Sequence, residues 1–262
     1  MTLVLSEVSK LGVAMAADSA VTFGNERVYV GAQKLLPVYK INAGISIWGN
    51  GVVNNVDADV WLQNFIENYV KEDMSLWAMA ELLAKKLNDA FNNKPISGRM
   101  GFHVAGFDEK NGIRGPAFYH VHNGHYHIEY KNGQVTDVPD ENPSIREFRA
   151  HDDRSPMIYS QNDFYVTRNG DFSIFAFLHQ TFGDSFRMIN QMTGLNFPSP
   201  LNLEIRGEYL RFWIRTISEI YRLSNARNRI LPQAATAGDA GIGGPVSVLT
   251  ISSSGIDSFY TK

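Results

Sequence analysis

The chain has 262 residues, enough for one large domain or two small ones, and its 44% hydrophobic content suffices for a substantial core. A net charge of −3 with no basic tract argues against nucleic acid or an anionic membrane as a main partner. No run approaches the roughly 18 consecutive apolar residues of a membrane span, and the lack of cysteine excludes disulfides and cysteine catalysis.

The first 51 residues read as β structure with no helix. Thr2-Leu3-Val4-Leu5 starts a strand, and Gly12 to Asp18 is a second that ends at a carboxylate. Val28–Val30, Lys34–Val38 and Gly44–Gly51 follow, separated by turn signals at Lys10-Leu11-Gly12, Gly24-Asn25, Gly31 and Asn42-Ala43-Gly44. Two amphipathic helices come next. Asp57 to Lys71 aligns Trp61, Phe65 and Tyr69, and Ser75 to Asn92 aligns Leu76, Met79, Leu83 and Leu87. Such stripes are expected to cover a sheet.

Arg99 to Tyr130 reads as β again, and residues 131 to 163, polar and dense in charge, as a surface excursion. Asp171 to Gln191 is expected to be helical, as is Leu201 to Leu223, with Leu210, Trp213, Ile217 and Ile220 in register. Val246–Ile251 and Ile256–Tyr260 close the chain as strands. No repeat or linker divides it, so a single domain over 1–262 is expected, with an atypical region at about 131–236.

Three residues carry the chemistry. Thr2, Asp18 and Lys34 lie sixteen residues apart in a chain that opens Met1-Thr2. Removal of Met1 would leave Thr2 with a hydroxyl and a free α-amine, and such an amine activates its own hydroxyl as a nucleophile. A lysine ammonium beside that hydroxyl favours the alkoxide and lowers the amine's pKa by like-charge repulsion. A carboxylate beside the lysine keeps its charge from being unpaired. Taken singly, Asp18 and Lys34 would read as an ordinary salt bridge.

The runs Ala14-Met15-Ala16-Ala17-Asp18-Ser19-Ala20-Val21-Thr22, Lys34-Leu35-Leu36-Pro37 and Ile47-Trp48-Gly49-Asn50-Gly51 resemble the opening of proteasome β-type subunits and their HslV-like bacterial homologues, which are N-terminal nucleophile hydrolases. The likeness returns at Phe102–Asp108 with Gly115–Tyr119, and at Ala237–Val248, while residues 131 to 236 match poorly. It implies an α+β fold, a four-layer αββα sandwich. It casts Thr2 as nucleophile, Asp18 and Lys34 as its partners, Gly49 as donor of the oxyanion-binding N–H, and Asp239 as support for the amine. It also implies a peptide or amide substrate, a homo-oligomeric ring and no cofactor, and it is silent on an ATP-driven unfoldase. With no signal-peptide pattern at the N-terminus, cytoplasm is the default expectation.

Two departures stand out. Asp239-Ala240-Gly241-Ile242-Gly243-Gly244 puts Ile242 where the family has a serine, and isoleucine offers no side-chain hydrogen bond. The family's Gly-Ser-Gly run is replaced by Arg168-Asn169-Gly170-Asp171, which would put Asn169 in that serine's role. The readings are therefore a threonine hydrolase of peptides or amides, a non-catalytic ring scaffold of the same fold, and a small-molecule amidohydrolase.

A second constellation is histidine-rich. In Tyr119–His127, a two-residue Asn123-Gly124 turn would set His122 opposite His125 and His120 opposite His127, all on one face. Grouped imidazoles suit a transition metal, but a flat strand pair converges its side chains poorly. A solvated face or a pH-sensitive contact is the preferred reading. His103, His151 and His179 are read as isolated.

Overall fold

The computed structural model describes residues 2–23, 26–91, 99–124, 126–131, 134–139, 147–160, 163–170, 175, 178, 185, 187–194, 202–223 and 242–262. In chain order the strands are β1 (Leu3–Ser9), β2 (Gly12–Ala17), β3 (Ala20–Phe23), β4 (Glu26–Val30), β5 (Leu35–Val38), β6 (Ala43–Gly49), β7 (Val52–Val53), β8 (Val56–Asp57), β9 (Met100–Lys110), β10 (Ile113–His122), β11 (Tyr126–Lys131), β12 (Gln134–Pro139), β13 (Arg149–Arg154), β14 (Phe164–Gly170), β15 (Ser247–Ser252) and β16 (Gly255–Thr261). The helices described end to end are α1 (Ala58–Tyr69), α2 (Leu76–Ala90) and α3 (Leu203–Leu223), and residues 187–193 are also helical. The fold is mixed α and β, with two antiparallel five-stranded sheets ordered β14-β1-β2-β15-β16 and β13-β10-β9-β6-β5.

Alternation along the strands explains the packing. In β1, Leu3 and Leu5 join a cluster with Leu210, Trp213, Ile214 and Ile217 of α3, while Val4 and Val8 face the opposite way. There they meet Val13, Met15, Leu249 and Ile251 of their own sheet and Leu35, Trp48, Ala105 and Phe118 of the other. The remaining face of the second sheet, with Ile45, Ile47, Phe102, Val104 and Val121, packs on α1 and α2 through Leu62, Phe65, Met79, Leu83 and Leu87. Each large apolar side chain so buried contributes about 1.5–3 kcal/mol. The sheets approach tightly at Gly44, where an added Cβ would lie 2.4 Å from Leu249 Cδ2 and 2.6 Å from Met15 Sδ.

Several buried polar groups beside these clusters are partnered. Arg206 of α3 pairs with Glu7, whose carboxyl is pushed up by burial against the opposing pull of that guanidinium. Ser75 Oγ accepts from Ala78 N–H at 3.1 Å, and Asp108 Oδ2 accepts from Trp77 N–H at 3.0 Å, so two orphan donors at the start of α2 are satisfied. Lys40 Nζ donates to the carbonyls of Glu67 and Val70 at 2.9 and 3.0 Å, where the end of α1 attracts a cation. Among the described residues, no helix is long and apolar enough to cross a membrane.

Three expectations change. Among the described residues no pairing joins β10 to β11 across Asn123-Gly124: β10 pairs with β9 and β13, and β11 pairs with β12. Asn123 is instead buried, with its Oδ1 accepting from Met100 N–H at 2.8 Å. Residues 131 to 163 are not simply a surface excursion: β13 edges the second sheet, and Phe148 and Tyr159 are buried. Finally, Phe164–Gly170, to which no strand was assigned from sequence, pairs along all of β1. The described residues of 171–191 are helical, and helices α1 to α3 begin and end within a few residues of their expected bounds.

Candidate active site

The β1–β2 register sets Val4 opposite Ala17, which brings Asp18, just past the end of β2, beside the start of β1. Asp18 N–H donates to the Leu3 carbonyl at 3.3 Å, and Leu3 N–H returns a bond to Asp18 Oδ1 at 3.0 Å. Lys34 immediately precedes β5, and its carbonyl accepts from Ile47 N–H of β6 at 2.8 Å. Its side chain spans the two sheets. The ammonium donates to Thr2 Oγ1 at 2.9 Å, to Asp18 Oδ1 at 3.1 Å and to the Ala20 carbonyl. Three donors meet three acceptors.

Thr2, Asp18 and Lys34 are buried, with 8%, 1% and 7% of their surfaces exposed. Asp18 has further partners: Oδ2 accepts from Ala20 N–H and Gly243 N–H, each at 3.2 Å. A carboxylate with two backbone donors on one oxygen, and a backbone donor and an ammonium on the other, is charge-balanced and cannot easily turn. Burial lowers the Lys34 pKa, while Asp18 pulls it back up. A lysine so placed can stabilise a developing alkoxide on Thr2 and can exchange a proton with it.

Gly49 ends β6 with φ of +85°, and a Cβ there would lie 2.1 Å from the Arg99 carbonyl oxygen. Only glycine fits. Asp239 lies outside the described residues. Ile242 is fully buried against Trp213 and Ile217 of α3, and its carbonyl accepts from Ser218 Oγ at 3.1 Å. Its side chain is thus core, and its segment serves the site through the backbone of Gly243, which donates to Asp18 and accepts from Ser19 N–H at 3.2 Å. Asn169 Oδ1 is held by His103 Nε2 at 2.6 Å, which ties it to β9.

No family model matches this chain, and no curated protein matches it in sequence.

Sequence reasoning missed the Gly243 N–H and the Ala20 carbonyl, because backbone groups are carried by every residue type and leave no sequence signal. It also passed over Ser19, 4% exposed, whose Oγ has no hydrogen-bond partner among the described residues. A serine directly after a site carboxylate was the available hint. His103, read as isolated, bridges the sheets: Nδ1 meets Ser6 Oγ of β1 at 2.9 Å, and Nε2 meets Asn169 of β14. His151, also read as isolated, is stacked on His122. His125 and the side chain of His127 lie outside the described residues, and among the described residues no group is arranged to hold a metal ion.

Proposed function

We propose that this chain is an N-terminal threonine hydrolase of amide or peptide bonds, of the proteasome β type, built as a four-layer αββα sandwich. The single observation that carries the reading is the buried Lys34 ammonium within 2.9 Å of Thr2 Oγ1 while it is paired to Asp18. The separate clusters between the sheets and beneath the helices support the layer order.

After loss of Met1, Thr2 Oγ attacks the substrate carbonyl and its proton passes to the α-amine or Lys34. The oxyanion of the tetrahedral adduct is held by Gly49 N–H. Collapse expels the amine with a proton and leaves an ester on Thr2, which water then hydrolyses to free acid and threonine. No cofactor takes part. A ring of copies enclosing these sites is the assembly that the family resemblance suggests.

The test is mass spectrometry of the native protein with and without an electrophilic threonine-directed probe. The expected result is a mature chain beginning at Thr2, modified at Thr2, with labelling abolished in Thr2→Ala. Undiminished labelling of that variant would overturn the assignment. A second reading, a non-catalytic scaffold, is favoured by Ile242 lying in the core and Asn169 being bound to His103. Retained Met1 in the purified protein would support it.

A further inference from the structure

The Gly49 N–H belongs to the peptide plane between Trp48 and Gly49, so whatever holds Trp48 also sets where that donor points. Gly49 has no side chain with which to hold the plane itself. On its far side the chain is fixed by Asn50 N–H, which donates to the Arg99 carbonyl at 2.8 Å. On its near side the restraint is the indole of Trp48, 9% exposed and packed between the sheets.

That indole reaches across a neighbouring strand. In register, Trp48 of β6 lies opposite Gly101 of β9, and Gly101 lies opposite His122 of β10. The ring passes over Gly101, where an added Cβ would lie 2.4 Å from Trp48 Cζ2 and 2.7 Å from Nε1. With that path open, Trp48 Nε1–H donates to His120 Nε2 of β10 at 3.0 Å. Among the described residues His120 is the acceptor of this buried N–H, and the cluster neighbours Leu35, Ala105 and Phe118 offer none.

His120 is well suited to the task. An imidazole accepts at Nε2 only while that nitrogen keeps its lone pair, so the ring proton sits on Nδ1, 3.8 Å from Asp153 Oδ2. Burial, and then the neighbouring imidazoles, push its pKa well below the usual value, which keeps the ring neutral and accepting. Its backbone is paired on both sides, with His103 of β9 and His151 of β13, and its ring lies 5.3 Å from that of His103. The anchor therefore stands on an inner strand of the sheet, where position is held more closely than on a loop.

We propose that His120 is a positioning residue of the hydrolase site: by accepting from the Trp48 indole it fixes the Trp48–Gly49 peptide, and with it the N–H that binds the oxyanion. This rests on the hydrolase reading above, because it concerns the donor on which that reading relies. His120 acts through Trp48 and has no contact with substrate to make. Without its lone pair the indole N–H would be buried and unpaired, and the ring would turn to find a partner. Any such turn is passed through the Trp48 Cα to the adjoining peptide plane.

Modification of Thr2 by the electrophilic threonine-directed probe, followed over a range of probe concentrations, separates the maximal rate from half-saturation. The variants are His120→Leu, Trp48→Phe, the two combined, and His120→Gln, whose amide oxygen can accept in place of Nε2. The maximal rate should fall roughly tenfold in each of the first two, with half-saturation changed by less than about twofold, because the donor acts on the developing oxyanion. The combined variant should be no slower than either alone, since all three lose one bond, and His120→Gln should recover most of the rate. Losses that multiply in the combined variant, a wild-type rate in either single one, or a His120→Gln as slow as His120→Leu would overturn the positioning role alone. A wild type left unmodified at Thr2 would overturn the hydrolase reading and this proposal with it. Should His120→Leu fail to fold, Trp48→Phe and His120→Gln decide, the first expected slow and the second close to wild type.

Discussion

At the scale of single residues, the site is a problem of compensating one buried cation. Lys34 is desolvated, yet its three donors reach a hydroxyl, a carboxylate and a carbonyl, and the carboxylate is itself held by three backbone N–H groups. On the hydrolase reading proposed above, Lys34→Met should therefore abolish turnover, and it should leave Asp18 with backbone donors but no counter-charge. Removing one partner of a buried pair typically costs about 3–5 kcal/mol. The expected loss is at the lower end of that range, measured by urea denaturation, and unchanged turnover in a folded variant would point to another proton pathway. Gly49→Ala forces a Cβ against the Arg99 carbonyl at a left-handed φ. If Gly49 N–H binds the oxyanion as proposed, displacing it by even a fraction of an ångström should reduce kcat by roughly a hundredfold, with the melting temperature reporting the separate cost of strain. Sixteen-residue spacing made Thr2, Asp18 and Lys34 readable. Ile242 was readable as a missing hydroxyl but not as a core residue, since only its contacts with Trp213 and Ile217 reveal where its side chain goes.

At the scale of elements, periodicity succeeded where one face is apolar and failed where pairing is the main restraint. The stripes of α1, α2 and α3 were visible because burial repeats every third or fourth residue. β13 was not, because an edge strand can be charged on both faces and still bond through its backbone. Register also lies beyond local pattern: Asn-Gly is a strong hairpin signal, yet β10 took β9 and β13 as neighbours. Helix α3 gives a test in which propensity and packing oppose. Replacing a helical glycine by alanine ordinarily gains about 1 kcal/mol. At Gly207 the new Cβ would lie 2.8 Å from Val248 Cγ1 and 3.1 Å from Thr250 Cγ2. Gly207→Ala should thus destabilise the protein by about 1–3 kcal/mol, read from the denaturation midpoint. A gain in stability would mean that α3 can move off β15.

At the scale of the whole molecule, acid sensitivity follows from histidines buried in neutral form. His103 has its pKa lowered from 6.5 to about 4 on folding, so below pH 6.5 the unfolded chain binds the proton more readily. The associated stability is complete above about pH 6.5 and is lost as pH falls toward 4, amounting to about 2 kcal/mol by pH 5. His120 shifts in the same direction, while Asp153, raised to about 6, works in the opposite sense from a more exposed position. Unfolding midpoints should therefore drop between pH 7.5 and pH 5, and a midpoint independent of pH would contradict the burial of His103.

The residues of this chain, taken in order, determined which segments alternate, which coil, and that a threonine, an aspartate and a lysine recur at one interval. Those properties depend on local spacing, and local spacing is what a linear chain displays. Tertiary structure alone decided that Lys34 Nζ lies 2.9 Å from Thr2 Oγ1, that Gly243 donates to Asp18, and that four histidines from three strands form one row. Each of these joins strands far apart in sequence, or on opposite sheets, and is set by strand order and backbone hydrogen bonds that no side-chain pattern encodes.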